Sequence, residues 1–133
     1  MTDLVKVKIL HNITWQSKRT PFAPYVPRDR LLQVLSFECP LPACGHIKML
    51  LRIIFDQLNN YGEPDGPPGQ TLWAMRYRQA GHRSLSVGDV VVIGESAWAV
   101  DLVGWLPVTV QSEQIWFDVG KLADDGIRMK YNT

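Results

Sequence analysis

The chain has 133 residues, 46% of them apolar and 20% charged, a composition that indicates one globular domain (residues 1–133) rather than a disordered protein. No apolar run approaches the ~20 residues that a membrane-spanning helix needs, so we expect no membrane contact. The net charge of +1 argues against a strongly electrostatic nucleic-acid binder, although the first 60 residues carry a balance of +4 and the remainder −3. The N-terminal segment alternates lysine with apolar residues, unlike a secretory signal, so we expect a cytoplasmic protein.

The first third of the sequence predicts two strands joined by a long loop. From Leu4 to Leu10, β-branched residues alternate with two lysines, the period of a half-buried strand. Residues 16–30 hold three prolines and four basic residues, which predicts a Pro-rich basic loop because prolines lack a backbone donor. The run from Leu31 to Cys39 predicts the second strand.

One apolar stripe predicts the main helix, at about residues 46–60. Its members recur at the spacing of one helix face: Ile47, Leu50, Leu51, Ile54 and Leu58. Asn59, Asn60 and Gly62 tolerate the left-handed backbone of a helix end, and Pro64 forbids continuation.

The second half of the sequence predicts short elements. Leu72–Arg78 fits either a strand or a short helix, and both readings stay open. Asp89–Ile93 and Ala97–Val103 flank a short turn and are expected to pair, while Val108–Val110 and Ile115–Val119 are expected to be short strand or edge segments. Together the elements predict an α+β fold, in which one main helix packs on a small antiparallel β-sheet. A sheet that curls toward a barrel is a second version of this prediction.

The stretch GHRSLSVGDVVVI, which begins at Gly81, combines a polar turn with an apolar strand. In the structural interpretation, Ser84 or Ser86 accepts backbone N–H groups, Gly88 permits a bend and Asp89 bonds the preceding backbone. In the functional alternative, a polar cluster binds a phosphate or a peptide backbone; its members are His82, Arg83, Ser84, Ser86 and Asp89. His82 and Arg83 have no structural need to be basic, so any partner contact is expected where the turn begins.

A third interpretation makes Ser86 a nucleophile with His82 and Asp101. Spacing in sequence does not establish a catalytic triad, and no strained strand–turn–helix elbow surrounds the serine. We therefore expect a protein that is not an enzyme and has no cofactor.

Cysteine and histidine are close together in the stretch CPLPACGH. Cys39, Cys44 and His46 are the types of ligand that zinc prefers, which makes them a weak candidate metal site. Two prolines inside an unusual Cys-x4-Cys spacing, and the lack of an evident fourth ligand, favour buried thiols instead.

Arginines interleave with aromatic residues in the stretch WAMRYRQAGHR. Arg76, Tyr77, Arg78, His82 and Arg83 would offer stacking and phosphate contacts together, and the loop at 16–30 would extend the same basic surface. A nucleic-acid-binding module is therefore the alternative function. Five tryptophans in a chain of this size are more typical of core and interface anchors than of base-stacking platforms.

The turn and the following strands resemble the C-terminal half of YodL-like domains. The residues that carry the resemblance are Ser84, Leu85, Ser86, Val87, Gly88 and Asp89, followed by Trp98, Asp101, Gly104 and Trp105. The resemblance covers about residues 47–108, and the two tryptophans replace the tyrosine and phenylalanine expected there. It implies a small accessory protein of a phage, plasmid or other mobile element. We expect such a protein to act by binding a host or element-encoded protein. Edge strands and tryptophans are compatible with a homodimer, and the oligomeric state stays open.

Overall fold

The computed structural model describes residues 4–14, 23–41, 47–59, 72–118 and 129–131. Within these ranges the chain forms seven strands, two α-helices and one short 3-10 helix. In chain order they are β1 (Leu4–Asn12), β2 (Leu31–Pro40), α1 (Ile47–Asn59), α2 (Leu72–Gln79), β3 (Val90–Ile93), β4 (Ser96–Val100), β5 (Trp105–Val108), the 3-10 helix (Ser112–Gln114), β6 (Ile115–Asp118) and β7 (Met129–Tyr131). Of the predicted basic loop, only residues 23–30 are described, and they contain no helix or strand.

The described strands form one sheet in the order β5-β4-β3-β1-β2-β6-β7, which is not closed into a barrel. Every neighbouring pair is antiparallel except β2 and β6, whose Leu31 and Ile115 are partners in a parallel ladder. The α+β prediction is confirmed. The prediction of a purely antiparallel sheet is wrong at this pair, because residues 109–114 lead from β5 at one edge to β6 beyond β2.

Two apolar clusters lie on the two sides of the sheet. On the side that carries the helices, which we call the helix face, Leu51, Ile54 and Leu58 of α1 pack with Val7 and Ile9 of β1. The stripe predicted from the spacing of apolar residues is therefore the buried face of α1, and it places the helix over the central strand.

The other side, which we call the cleft face, is built from the residues that alternate with the helix-face set. Leu10 follows Ile9 in β1 and lies in the second cluster with Leu31, Val90 and Tyr25. Tyr25 belongs to the segment at 23–30, so this segment covers the sheet where no described helix does.

The segment from Leu72 to Gln79 is a helix, which settles the open alternative. Ala74 and Tyr77, three residues apart, are both fully buried in the helix-face cluster. Trp73 stacks on Phe37 of β2 with ring centroids 4.3 Å apart and planes 2° from parallel. A period of two in the sequence does not decide such a short element, whereas contact with the sheet does.

Two strand boundaries differ from the prediction. β4 ends at Val100 because residues 101–104 turn, with the Asp101 amide donating to the Gly104 carbonyl over 3.0 Å. β5 then begins at Trp105 and contains Pro107, which an edge strand tolerates because its outer side needs no backbone donor. Among the described residues, no helix is long and apolar enough to cross a membrane.

Candidate binding site: a buried polar network and an arginine cleft

Asp89 is the centre of a buried polar network at the start of β3. Its carboxylate is fully buried and accepts four hydrogen bonds. The donors are the Asn12 amide (2.7 Å), the Ser86 amide (2.8 Å) and two guanidinium nitrogens of Arg83 (2.6 and 2.8 Å). The predicted bond from Asp89 to the preceding backbone is confirmed by the Ser86 amide, and four donors are what a buried carboxylate needs.

Arg83 pairs with Asp89 in a bidentate salt bridge, and its side chain is 28% exposed. Burial raises the pKa of the Asp89 carboxyl, while Arg83 and the two backbone amides oppose that rise. The expectation that Arg83 has no structural need to be basic is therefore wrong, because its charge balances a carboxylate that is out of contact with water.

His11 and Tyr77 form the neighbouring part of the network. His11 Nε2 lies 2.5 Å from the Tyr77 hydroxyl, which in turn donates to the Arg83 carbonyl. Because that hydroxyl proton is used, His11 must donate from Nε2. Burial, with additional repulsion from Arg83 and His82, lowers the pKa of His11 from 6.5 to about 3. The ring of His82 lies 5.7 Å from that of His11, edge to face.

Asn12 connects this network to the segment at 23–30. Its side-chain amide donates to the Gly88 carbonyl (3.0 Å) and to Asp29 Oδ2 (2.9 Å), and its side-chain oxygen accepts from the Thr14 amide. Asp29 Oδ2 also accepts from the Val26 amide. The buried polar groups are thus bonded to one another, and they fix the position of a surface turn.

Gly88 allows residues 23–30 to pack closely against the turn before β3. Its φ is +96°, and a Cβ added there would lie 2.4 Å from the Ala23 carbonyl oxygen. The bend predicted at Gly88 is confirmed, and the lack of a side chain lets residues 23–30 lie against the turn before β3.

The same turn is held on its other side by α1. Asn59, the last residue of α1, donates from Nδ2 to the Leu85 carbonyl (3.0 Å) and accepts at Oδ1 from the Leu85 amide (2.6 Å). Asn59 therefore pairs with both backbone polar groups of Leu85, as a residue of a neighbouring strand would. Asn59 was expected only to tolerate the helix end, and its bridging role has no local sequence signal.

The predicted site residues form two groups in the structure. Tyr77, His82 and Arg83 lie together, but Tyr77 is fully buried, so it offers no ring face for stacking. Arg76 is exposed and Arg78 half-buried on α2. Among the described basic residues of the predicted surface, Arg76 of α2 and Arg28 and Arg30 of the loop are exposed.

Ser84 bonds through its backbone, and Ser86 bonds through both its backbone amide and its hydroxyl. The Ser84 carbonyl accepts from Arg83 (2.9 Å), and the Ser86 amide donates to Asp89 while Ser86 Oγ lies 3.5 Å from the Ser84 carbonyl. Asp101, the third member of the hypothetical triad, accepts the Leu102 amide in the turn after β4. These contacts place both serines in the turn, as the structural interpretation expects, but neither hydroxyl accepts a backbone N–H from a described residue, so that part of the prediction is wrong.

The hypothetical zinc site is described in part. Cys39 is buried in β2, and burial raises the pKa of its thiol. Cys44 and His46 lie outside the described residues. Among the residues that are described, no group of three or more His, Cys, Asp or Glu could hold a metal ion.

An open cleft of about 720 Å³ lies on the cleft face, and we call it the arginine cleft. It is lined by Tyr25, Pro27, Arg28, Arg30, Leu106, Pro107, Val108, Thr109, Gln111, Glu113, Gln114 and Trp116. These residues come from the segment at 23–30, from β5, from residues 109–114 and from β6. Because the sheet topology brings them together, the basic charge and prolines of the loop are the only local signal of the cleft in the sequence.

The polar groups at the base of the arginine cleft are satisfied within the protein. Gln114 donates to the Tyr25 hydroxyl (3.0 Å) and the Asp29 carbonyl (2.9 Å), and it accepts the Gln111 amide (2.8 Å). The Tyr25 hydroxyl donates to the Thr109 carbonyl. The base is therefore rigid, and a ligand would meet apolar surface there rather than unpaired donors.

Arg28 stands out on the rim because its backbone has a φ of +78°. It is the third residue of a four-residue turn closed by the Asp29 amide donating to the Val26 carbonyl over 3.1 Å. Pro27 suits the second position of such a turn, whereas the third position favours glycine. Arg28 therefore places a long cationic side chain at a turn position that favours glycine.

Comparisons of the chain with protein-family models, with curated proteins and with solved structures gave no significant match. The resemblance to YodL-like domains stays a prediction.

Proposed function

We propose that the protein is a small non-enzymatic accessory protein that binds a host or element-encoded protein partner in the arginine cleft. The observation that carries the proposal is the cleft itself, whose apolar walls include the exposed Leu106 and half-buried Trp116. Aromatic and aliphatic side chains on a rigid base are typical of surfaces that anchor a partner's side chain. The mobile-element context rests on the sequence resemblance alone.

The polar network supports a binding role over a catalytic one. Asp89 and Arg83 are bonded to each other and His11 to Tyr77, so these groups stabilise the fold rather than face a substrate. A general base needs a pKa near the working pH, and the pKa of His11 is held at about 3. Arg83 and Asp89, which sequence reasoning placed in a polar binding cluster, are thus engaged in the fold.

Selection of displayed random peptides against the immobilised full-length chain tests the proposal. Enriched peptides should bind about tenfold more weakly to Leu106→Asp, because a charge would be placed on the apolar wall. Met49→Asp is the matched control, since Met49 is 50% exposed on α1 and Leu106 is 44% exposed on β5. Peptides that bind both variants equally, or no enrichment at all, would contradict the proposal.

Sedimentation of the protein alone separates a foreign partner from a second copy. We expect a monomer whose sedimentation does not change with Leu106→Asp. Self-association that this substitution abolishes would identify a homodimer as the occupant of the cleft and would overturn the proposed foreign partner.

A further inference from the structure

The arginine cleft carries an excess of positive charge over an apolar interior. Arg28 and Arg30 are exposed residues on its lining, and among the described lining residues Glu113 is the one carboxylate. Within the described part of the chain, neither arginine has a carboxylate in ion-pair distance. Because no described carboxylate pairs with either arginine, the two cations would complement an anionic ligand.

The backbone at Arg28 gives a second, independent observation. A residue with a side chain is disfavoured at a φ of +78°, and glycine would remove the strain. Asp29 holds the turn in place through its bonds to Asn12 and Val26, so the strained conformation is enforced by the buried network. The fold therefore holds a guanidinium on the rim of the cleft against its local preference.

The shape of the surface favours an extended ligand over a compact one. A second hollow of about 210 Å³ shares Val108 and Thr109 with the arginine cleft and continues along the sheet to Lys8 and Glu95. The base of the arginine cleft holds no unpaired polar group among those described above that would orient a small polar metabolite. Two adjoining hollows with charged residues on their lining fit an extended peptide better than a compact ligand.

We propose that the arginine cleft binds an extended acidic peptide segment of the partner, with an apolar side chain against Leu106 and Trp116 and carboxylates paired with Arg28 and Arg30. The inference rests on the proposed function and specifies the chemistry of the partner. Pro107 removes a backbone donor from the edge strand β5, so side chains and charges rather than strand addition would carry recognition.

The test measures fluorescence anisotropy of the full-length chain with three peptides of eight residues that share a central Trp-Leu pair. Their flanking residues are Asp and Glu, or Asn and Gln, or Lys. The acidic peptide should bind most tightly and the basic one most weakly. Arg28→Gly should weaken acidic-peptide binding about fivefold, Arg28→Lys should retain most of it, and the neutral peptide should be insensitive to both.

Two further variants and one competitor complete the design. Glu113→Gln should tighten acidic-peptide binding, since it removes the like charge, and Met49→Asp should change nothing. Thermal unfolding of Arg28→Gly confirms that the variant is folded. A single-stranded oligonucleotide that binds more tightly than the acidic peptide and depends on Arg28 would assign the surface to nucleic acid and would overturn the inference.

The remaining outcomes separate this inference from the proposed function. Equal affinity for the acidic and neutral peptides, with loss of both in Leu106→Asp, would overturn the acidic ligand and leave the protein-binding cleft in place. If none of the three peptides binds and the displayed library yields no ligand, the proposed function itself fails.

Discussion

The backbone amide of Asn12 and the carboxylate of Asp89 are 77 residues apart in the sequence and are joined by a hydrogen bond of 2.7 Å. The bond connects the last residue of β1 to the residue before β3. The Asn12 side chain then reaches Gly88 and Asp29, so one residue joins the buried carboxylate to the turn on the rim of the arginine cleft. The polar network is therefore the structural support of the proposed binding surface.

Replacing Arg83 with methionine should lower the free energy of unfolding by about 3 kcal/mol, because the buried Asp89 carboxylate would lose its counter-charge and two of its four donors. Urea unfolding measured at pH 7 checks this value. Arg83→Lys should lose less, since the charge stays and only the bidentate geometry is lost.

The double variant Arg83→Met with Asp89→Asn is the control for the charge. It should be more stable than the sum of the two single losses predicts, because the uncompensated charge is absent. If the losses of free energy simply add, the pair contributes through packing alone and its electrostatic role is refuted.

The fold was predictable wherever the information is local. The stripe of α1 and the alternation of β1 each follow from the spacing of apolar residues and were confirmed. The parallel pair of β2 and β6 was not predictable, because it depends on where residues 109–114 cross the sheet. The helix α2 was undecided because its sequence alternates, and only its contact with the sheet favours a helix.

The site was predictable in part for the same reason. Asp89 and Gly88 were assigned to a turn, since such turns are made by neighbours in sequence. Sequence reasoning placed Arg83 on a partner surface because its carboxylate partner, although only six residues away, is reached through a turn whose shape long-range contacts determine. The arginine cleft joins residues 25–30 to residues 106–116, a distance that no motif spans.

Acidification should destabilise the protein through His11. The pKa of His11 is about 3 in the folded chain and 6.5 when it is exposed, so between these values the unfolded state binds a proton that the folded state does not. The contribution of His11 to the free energy of unfolding is therefore fully present above pH 6.5. It is lost as the pH falls, by at most about 1.4 kcal/mol per pH unit. Urea unfolding at pH 7.5, 5.5 and 4.5 measures this dependence.

His11→Gln isolates the effect, because glutamine can still donate to Tyr77 but does not titrate. Its stability should vary less between pH 7.5 and 4.5 than that of the native chain. Asp89 contributes with the opposite sign, since burial raises the pKa of its carboxyl, but it does so in both proteins. Parallel pH profiles for the two proteins would show that His11 is not the group responsible.

Gly88→Ala should be strongly destabilising, by about 3 kcal/mol, because the added Cβ would meet the Ala23 carbonyl oxygen at 2.4 Å and the φ of +96° disfavours any side chain. Gly94→Ala is the matched control. Its φ is +59° and a Cβ there meets nothing within 4 Å, so only the backbone strain of about 1 kcal/mol applies. Equal losses of free energy in urea unfolding would refute the close approach at Gly88.

Arg28→Gly and Arg30→Gly should change stability in opposite directions, although both remove a cation from the same cleft. Arg28 has a φ of +78°, so glycine relieves strain and should raise the free energy of unfolding by about 0.5–1 kcal/mol. Arg30 is not among the described residues with positive φ, so glycine there increases the entropy of the unfolded chain and should lower stability by a similar amount. Thermal and urea unfolding of the two variants measure the signs. Destabilisation by both would mean that the side chain of Arg28 is required by the fold, and its strained backbone would then no longer point to a ligand.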